Sequence, residues 1–199
     1  MPDNSPDPQA VFLNTPYDRA YESLFVTLVA SLICLGLKPR CVLEIRETGQ
    51  GRLARIYELL QSCGVSVHDL SRTGTPVRFN MPFELGLACS LRLRDTPHEI
   101  VVLDSTPHRL DKTLSDYKGR DPLVHGNRCD DIVSCTLDVF QIANGPDPDA
   151  MRSAARSVRT FAKSIKDQYR IPTIFRPAAF RSLVEAATRH AVDRGFIPA

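Results

Sequence analysis

Short apolar runs and helix-period segments take turns along the first hundred residues, and that alternation leaves few folds open. Ala10–Asn14 (AVFLN), Leu37–Ile45, Val65–Asp69 and Ile100–Asp104 (IVVLD) read as buried strands. A first helix is expected from Tyr17 or Asp18 to Gly36, where Leu24, Phe25, Leu28, Val29, Leu32 and Ile33 recur every three or four residues. Leu53, Ile56, Tyr57, Leu59 and Leu60 mark a second helix that stops near Gly64, and Met81–Leu93 forms a third. Strand and helix in turn predict an α/β protein: a flavodoxin- or Rossmann-like three-layer sandwich around a mainly parallel sheet of about five strands.

After Asp104 the pattern loosens. Pro122–His125 reads as a short edge strand and Cys129–Ile142 as a helix. Gly145-Pro146-Asp147-Pro148 reads as a linker, and two further helices, 149–170 and 177–194, are separated by Pro172 and Pro177. The organisation expected is a disordered tail over 1–9, an α/β domain over 10–145 and a helical extension over 146–199.

A chain of 199 residues with 43% hydrophobic residues can bury a real core, which excludes intrinsic disorder. The net charge of +2 does not argue for nucleic acid, but it is unevenly spread. Residues 151–199 carry 10 basic and 3 acidic side chains, and the rest of the chain carries 15 and 20. The greasiest run, Leu24–Leu37, is interrupted by Thr27, Ser31 and Gly36, so it fits a buried helix and no membrane span is expected. The acidic, Pro-rich start has no secretory pattern. Six cysteines without a C-x-x-C pair suggest reduced thiols and a cytoplasmic protein, and the five scattered histidines show no zinc spacing.

In an open α/β sheet, ligands bind at the carboxyl ends of the strands near the point where strand order reverses. The loops to inspect are Asn14–Asp18, Arg46–Arg52, Asp69–Asn80 and Asp104–His108. Glu84 is the one charge between Arg78 and Arg92. With Asn80 as N-cap and Pro82 in the first turn, it is expected in the opening turn of its helix, on a stripe with Ala88 and Leu91. A carboxylate there either complements the helix dipole or is used by a ligand. Asp69 ends the third strand, where it forms an Asx turn or accepts hydrogen bonds from sugar hydroxyls. His68, on the opposite face, reads as structural. Gly49-x-Gly51-x-x-Ala54, with Asp69 twenty residues after Gly49, outlines a dinucleotide fingerprint or a plain tight turn.

Together, His68–Arg72 and Phe79–Ala88 (FNMPFELGLA) resemble the nucleoside 2-deoxyribosyltransferase-like group, which is related to TIR-type NAD-cleaving domains. The Glu84-Leu85-Gly86-Leu87-Ala88 segment occupies the group's ELG-x-A position, and Val11–Pro16 resembles its first strand and substrate-facing loop, with Asn14 and Pro16 at the substrate. The resemblance implies that Glu84 is the nucleophile or charge stabiliser at the anomeric carbon of an N-glycoside. It also implies that Asp69 binds or polarises the ribose and leaving base, and that Gly86 allows close packing. Where relatives carry acidic residues, this loop has Arg72 and Arg78; with Arg46 and Arg52 they suit phosphate, and so a nucleotide or NAD-like substrate. Asn80 and Met81 complete the expected substrate contacts. No metal or bound cofactor is called for. NAD or a nucleotide enters as substrate.

Arg152, Arg156, Arg159, Lys163, Lys166 and Arg170 fall on one helical face, opposite Ala155, Val158, Ala162, Ile165 and Tyr169. The face suits a solvated, docked helix better than a nucleic-acid surface, because no aromatics interleave with the charges. The apolar stripe serves the core or a homo-oligomer. The leading expectation is therefore an N-glycosidase or ribosyltransferase. A non-catalytic nucleotide sensor is the alternative, and a dinucleotide-dependent oxidoreductase the third reading.

Overall fold

The computed structural model describes residues 5–44, 51–72, 78–94, 96–117, 121–142 and 145–199. The strands are β1 (Asp7–Asn14), β2 (Lys38–Cys41), β3 (Cys63–Asp69), β4 (Glu99–Asp104) and β5 (Leu123–Val124). They form one five-stranded parallel sheet in the order β2-β1-β3-β4-β5. Asn14 lies opposite His68, Asp69 opposite Leu103, and Asp104 opposite Val124. The expected α/β architecture is therefore present, and the strand order reverses between β1 and β3. In a sheet of this order that switch point is where a ligand crevice opens.

By contacts the chain falls into two compact units: residues 1–16 with 40–126, and residues 17–39 with 127–199. The α/β unit adds α2 (Arg52–Gln61), α3 (Asn80–Arg92) and the single turn α4 (Leu110–Thr113). Both α2 and α3 pack on β3. Leu70, Met81, Leu85, Val102 and Leu110 form a buried cluster there, so α3 is anchored by its second, sixth and neighbouring apolar positions. The helical unit consists of α1 (Glu22–Cys34), α5 (Cys129–Val139), α6 (Pro148–Tyr169) and α7 (Pro177–Asp193). α1 is buried at all but one of its positions and touches each of the other three helices, as an all-round apolar helix must.

The helices that group together are not the ones the sequence grouped. α1 and α5 associate with α6 and α7, where a boundary at 146 had been expected. Gly145–Pro148 is a helix start: Asp147 caps α6 through its Oδ2, which accepts from Asp149 N at 3.0 Å and Ala150 N at 3.1 Å, with Pro148 in the first turn. The same residue types mark a linker and a capped turn. Within the tail expected over 1–9, β1 begins at Asp7, whose N–H bonds Ser62 O at 3.0 Å.

β2 ends at Cys41, four residues before the hydropathy suggests. Glu44 folds back in a 3-10 turn, accepting from Cys41 N at 2.8 Å and Arg40 Nε at 2.7 Å, so its carboxylate takes donors a longer strand would need. α1 opens at Glu22 because Asp18 first closes a turn on Tyr21 N. It ends as expected at Gly36 (φ 74°), with Leu37 N bonding Leu32 O and Gly36 N bonding Ile33 O. The apolar stripe of α6 is buried at Ala155, Val158, Ala162 and Ile165, but Tyr169 is exposed and bonds Ser182 Oγ. Four of the basic side chains on α6 have partners on α1 and α5, namely Glu22, Thr27, Asp130 and Ser134. Among the described residues no helix is long and apolar enough to cross a membrane, and all six cysteines are free.

Candidate active site at the β1/β3 switch point

β1 ends in Asn14, and the β1–β3 register sets this residue against His68. Asn14 Nδ2 donates to the Met81 carbonyl at 2.9 Å, which fixes the orientation of the amide and ties β1 to the first turn of α3. The same nitrogen lies 2.9 Å from His68 Nδ1, which must therefore accept. His68 Nε2 then carries the proton and donates to Ser66 Oγ at 2.9 Å; Ser66 in turn donates to His98 Nε2 at 2.8 Å. His98 Nδ1 donates to the Cys63 carbonyl at 2.9 Å, which closes the chain. One pattern of donors satisfies every step, and both imidazoles in it are neutral.

Burial enforces that neutrality. It pushes His68 down to about 3, with His98 adding to the effect, and it lowers His98 as well. The chain leaves two polar atoms over at the tip of β1. Among the described residues, Asn14 Oδ1 and Thr15 Oγ1 are buried without a hydrogen-bond partner. Such atoms are costly, and these two are adjacent at the sheet's switch point.

Glu84 lies in the second turn of α3, not the opening turn. The helix starts at Asn80 with no side-chain cap, so the helix dipole does not account for Glu84. Glu84 is 7% exposed, on a buried stripe with Ala88 and Leu91. Burial raises its carboxyl to about 7, although Arg52 and a hydrogen bond from Asn80 pull it the other way. The fold thus brings Arg52, at the start of α2, within electrostatic reach of a carboxylate thirty-two positions later in the chain.

Asp69 ends β3 as expected and is 0% exposed. Its Oδ1 accepts from Ser71 N at 2.8 Å, the Asx turn, and its Oδ2 lies 3.1 Å from His125 Nε2. That same nitrogen lies 2.9 Å from Ser71 Oγ. Asp69 therefore organises the loop that leaves β3, and both of its oxygens are engaged by protein groups. A Ser-His-Asp relay is not formed, because one imidazole nitrogen meets both partners. On the next strand, Asp104 and Arg109 make a two-pronged ion pair; Arg109 also bonds the Leu70 carbonyl at 3.1 Å.

Of the remaining expected site residues, Met81 and Pro16 are buried, Arg72 and Arg78 half-buried, and Asn80 and Arg52 exposed. Arg46 and Gly49 lie outside the described residues. Gly51 caps α2 with φ −57° and open space where a Cβ would stand, so neither backbone nor packing requires glycine there. Gly86 likewise meets open space, which removes the close packing expected of it. Sequence reasoning missed His125, Ser71 and Arg109. His125 was within reach: it ends the expected edge strand Pro122–His125, at the same carboxyl edge as the loops inspected. Two exposed phenylalanines were also missed, Phe79 at 75% and Phe83 at 55%, one turn apart at the start of α3.

No family model, no curated protein and no solved structure matches this chain.

Proposed function

We propose that this site cleaves, or transfers the sugar of, an N-glycosidic bond in a nucleotide or NAD-like substrate. The observation that carries the reading is Glu84: a buried carboxyl with a pKa near neutrality, on the helix whose first turn is tied to the unsatisfied tip of β1. When the bond between the anomeric carbon and the base nitrogen breaks, the electron pair leaves with the base and positive charge develops on the sugar. A carboxylate held beside that carbon, in low dielectric, stabilises the charge or bonds to it. Water or a second base then completes hydrolysis or transfer. The developing cation itself favours ionised Glu84, so a group poised near pH 7 ionises where it is needed.

In this reading Asn14 Oδ1 and Thr15 Oγ1 accept from sugar hydroxyls, and Arg52 serves a phosphate. Asp69 acts as a positioning residue through Ser71 and His125. Phe79 and Phe83 offer a planar base an exposed aromatic surface. The FELGLA segment supports the deoxyribosyltransferase-like resemblance, and the loop arginines, which depart from it, support a phosphate-bearing substrate. The free cysteines support a reducing, cytoplasmic setting.

The test is incubation of pure protein with NAD and a panel of ribo- and deoxynucleotides, with release of free base as the readout. Glu84→Gln should lower turnover by about a thousandfold. Turnover that survives the substitution removes Glu84 from the mechanism. A ligand-dependent rise in melting temperature without product would instead establish a nucleotide sensor.

A further inference from the structure

We propose that the groove between α1 and α6 is a second ligand site, for a compact polyphosphate, independent of the Glu84 site. The groove encloses about 340 Å³, and Arg156, Arg159, Lys163 and Lys166 of α6 line it opposite Glu22 and Ser23 of α1. That volume is within the range of small-molecule sites.

The four cations stand at i, i+3, i+7 and i+10, on one face of the helix, where like charges repel. Glu22 compensates only one of them. Its Oε1 pairs with Lys166, and its Oε2 accepts from Ile174 N at 3.0 Å, so both oxygens are committed. Arg159 is held by a neutral partner: Nη1 donates to Thr27 Oγ1 at 2.9 Å, and its other donors are unclaimed among the described residues. The nearest acid to Arg156 is Asp130 at 3.9 Å, with both side chains more than half exposed. Lys163 has neither a hydrogen bond nor an ion pair among the described residues.

Arg159 and Lys163 therefore line the groove without a carboxylate partner among the described residues, and Arg156 has only the exposed Asp130. Guanidinium forks and an ammonium match phosphate oxygens. From Arg156 to Lys163 the helix rises about 10 Å, further than one phosphate reaches, so the ligand carries at least two. The lining has no aromatic ring on which a base would stack, and the recess suits a compact ligand over an extended strand.

Isothermal titration of the full chain with inorganic triphosphate at physiological ionic strength tests this, with orthophosphate as the single-phosphate comparison. Triphosphate should bind at least about tenfold more tightly than orthophosphate, and Arg159→Gln and Lys163→Gln should each weaken it by about tenfold. Arg181→Gln, on the exposed side of α7, should leave binding unchanged. Lys163 is exposed and unpartnered, so its variant decides the matter even if Arg159→Gln unfolds. The proposal is overturned by any of three results: no triphosphate binding, equal weakening by Arg181→Gln, or Lys163-dependent binding of a short DNA duplex in place of triphosphate.

Discussion

The helical unit buries four polar side chains among its described residues: Glu22, Thr27, Ser31 and Thr136. The α/β unit, of similar size, buries ten, including three histidines and three carboxylates. Glu22 shows how the helical unit handles a charge. It sits at a helix end, where one oxygen reaches an ammonium and the other a backbone N–H. The α/β unit instead holds an imidazole that burial keeps neutral and a carboxyl that burial raises to about 7. Such groups lower stability, and folds keep them where a ligand completes them. The contrast can be tested by moving pH and partners in each unit separately.

The largest effect expected is acid loss from His68. Its folded pKa of about 3 lies below the unfolded 6.5, so the unfolded chain takes up the proton first as pH falls. The stability is fully present above pH 6.5 and is lost toward pH 3, a total of about 5 kcal/mol. Hydrogen exchange of β3 amides, corrected for intrinsic rates, should show the loss, and α6 amides should not. His68→Asn should flatten the slope. Equal acid loss in both units would remove the distinction between them.

Glu84 works in the opposite sense. Its folded pKa of about 7 exceeds its unfolded value, so the folded state holds the proton longer. Stability falls as pH rises from about 4.5 to 7, by about 3 kcal/mol in all. Glu84→Gln should leave stability almost unchanged at pH 4.5 and raise it by that amount at pH 8. Between pH 4.5 and 6.5 the two titrations oppose each other, so the wild-type chain should show a plateau there. Glu84→Gln should expose the full His68 slope across the same window. A wild-type slope that the substitution does not change would mean that Glu84 ionises normally.

The particular residues show what was legible beforehand. The apolar runs at Ala10–Asn14 and Ile100–Asp104 indicated parallel strands because a strand buried on both faces has no polar alternation. The Glu84–Ala88–Leu91 stripe could be read because helical spacing is local. His68 read as structural from strand alternation alone, but its chain through Ser66 to His98 could not be seen, since His98 is thirty residues away and meets Ser66 only through the β3–β4 register. Arg52 reaches Glu84, and His125 reaches Asp69, by the same kind of long-range pairing. The two-unit grouping was hidden for a different reason: α1 is apolar on every side, so its periodicity does not say which helices surround it.

In the helical unit, Glu22→Ala should cost about 2 kcal/mol, because it strands the Ile174 N–H and the Lys166 ammonium together. Urea unfolding of the wild type and the variant checks this, and an unchanged midpoint would mean that neither contact contributes to stability.

The smallest effect bears most directly on the site. Thr15 Oγ1 is buried with no partner among the described residues, and valine has nearly the same shape without the hydroxyl. Thr15→Val should therefore stabilise the ligand-free protein, by about 1 kcal/mol, because it removes a desolvated group that nothing satisfies. The same substitution should weaken binding of any ligand whose donor that oxygen accepts, so the melting shift produced by a bound nucleotide should shrink. A structural hydroxyl would give the reverse pair of results: a less stable protein with unchanged ligand response. Stabilisation without any change in ligand response would mean that Thr15 faces a buried water, and would leave Asn14 as the acceptor at the tip of β1.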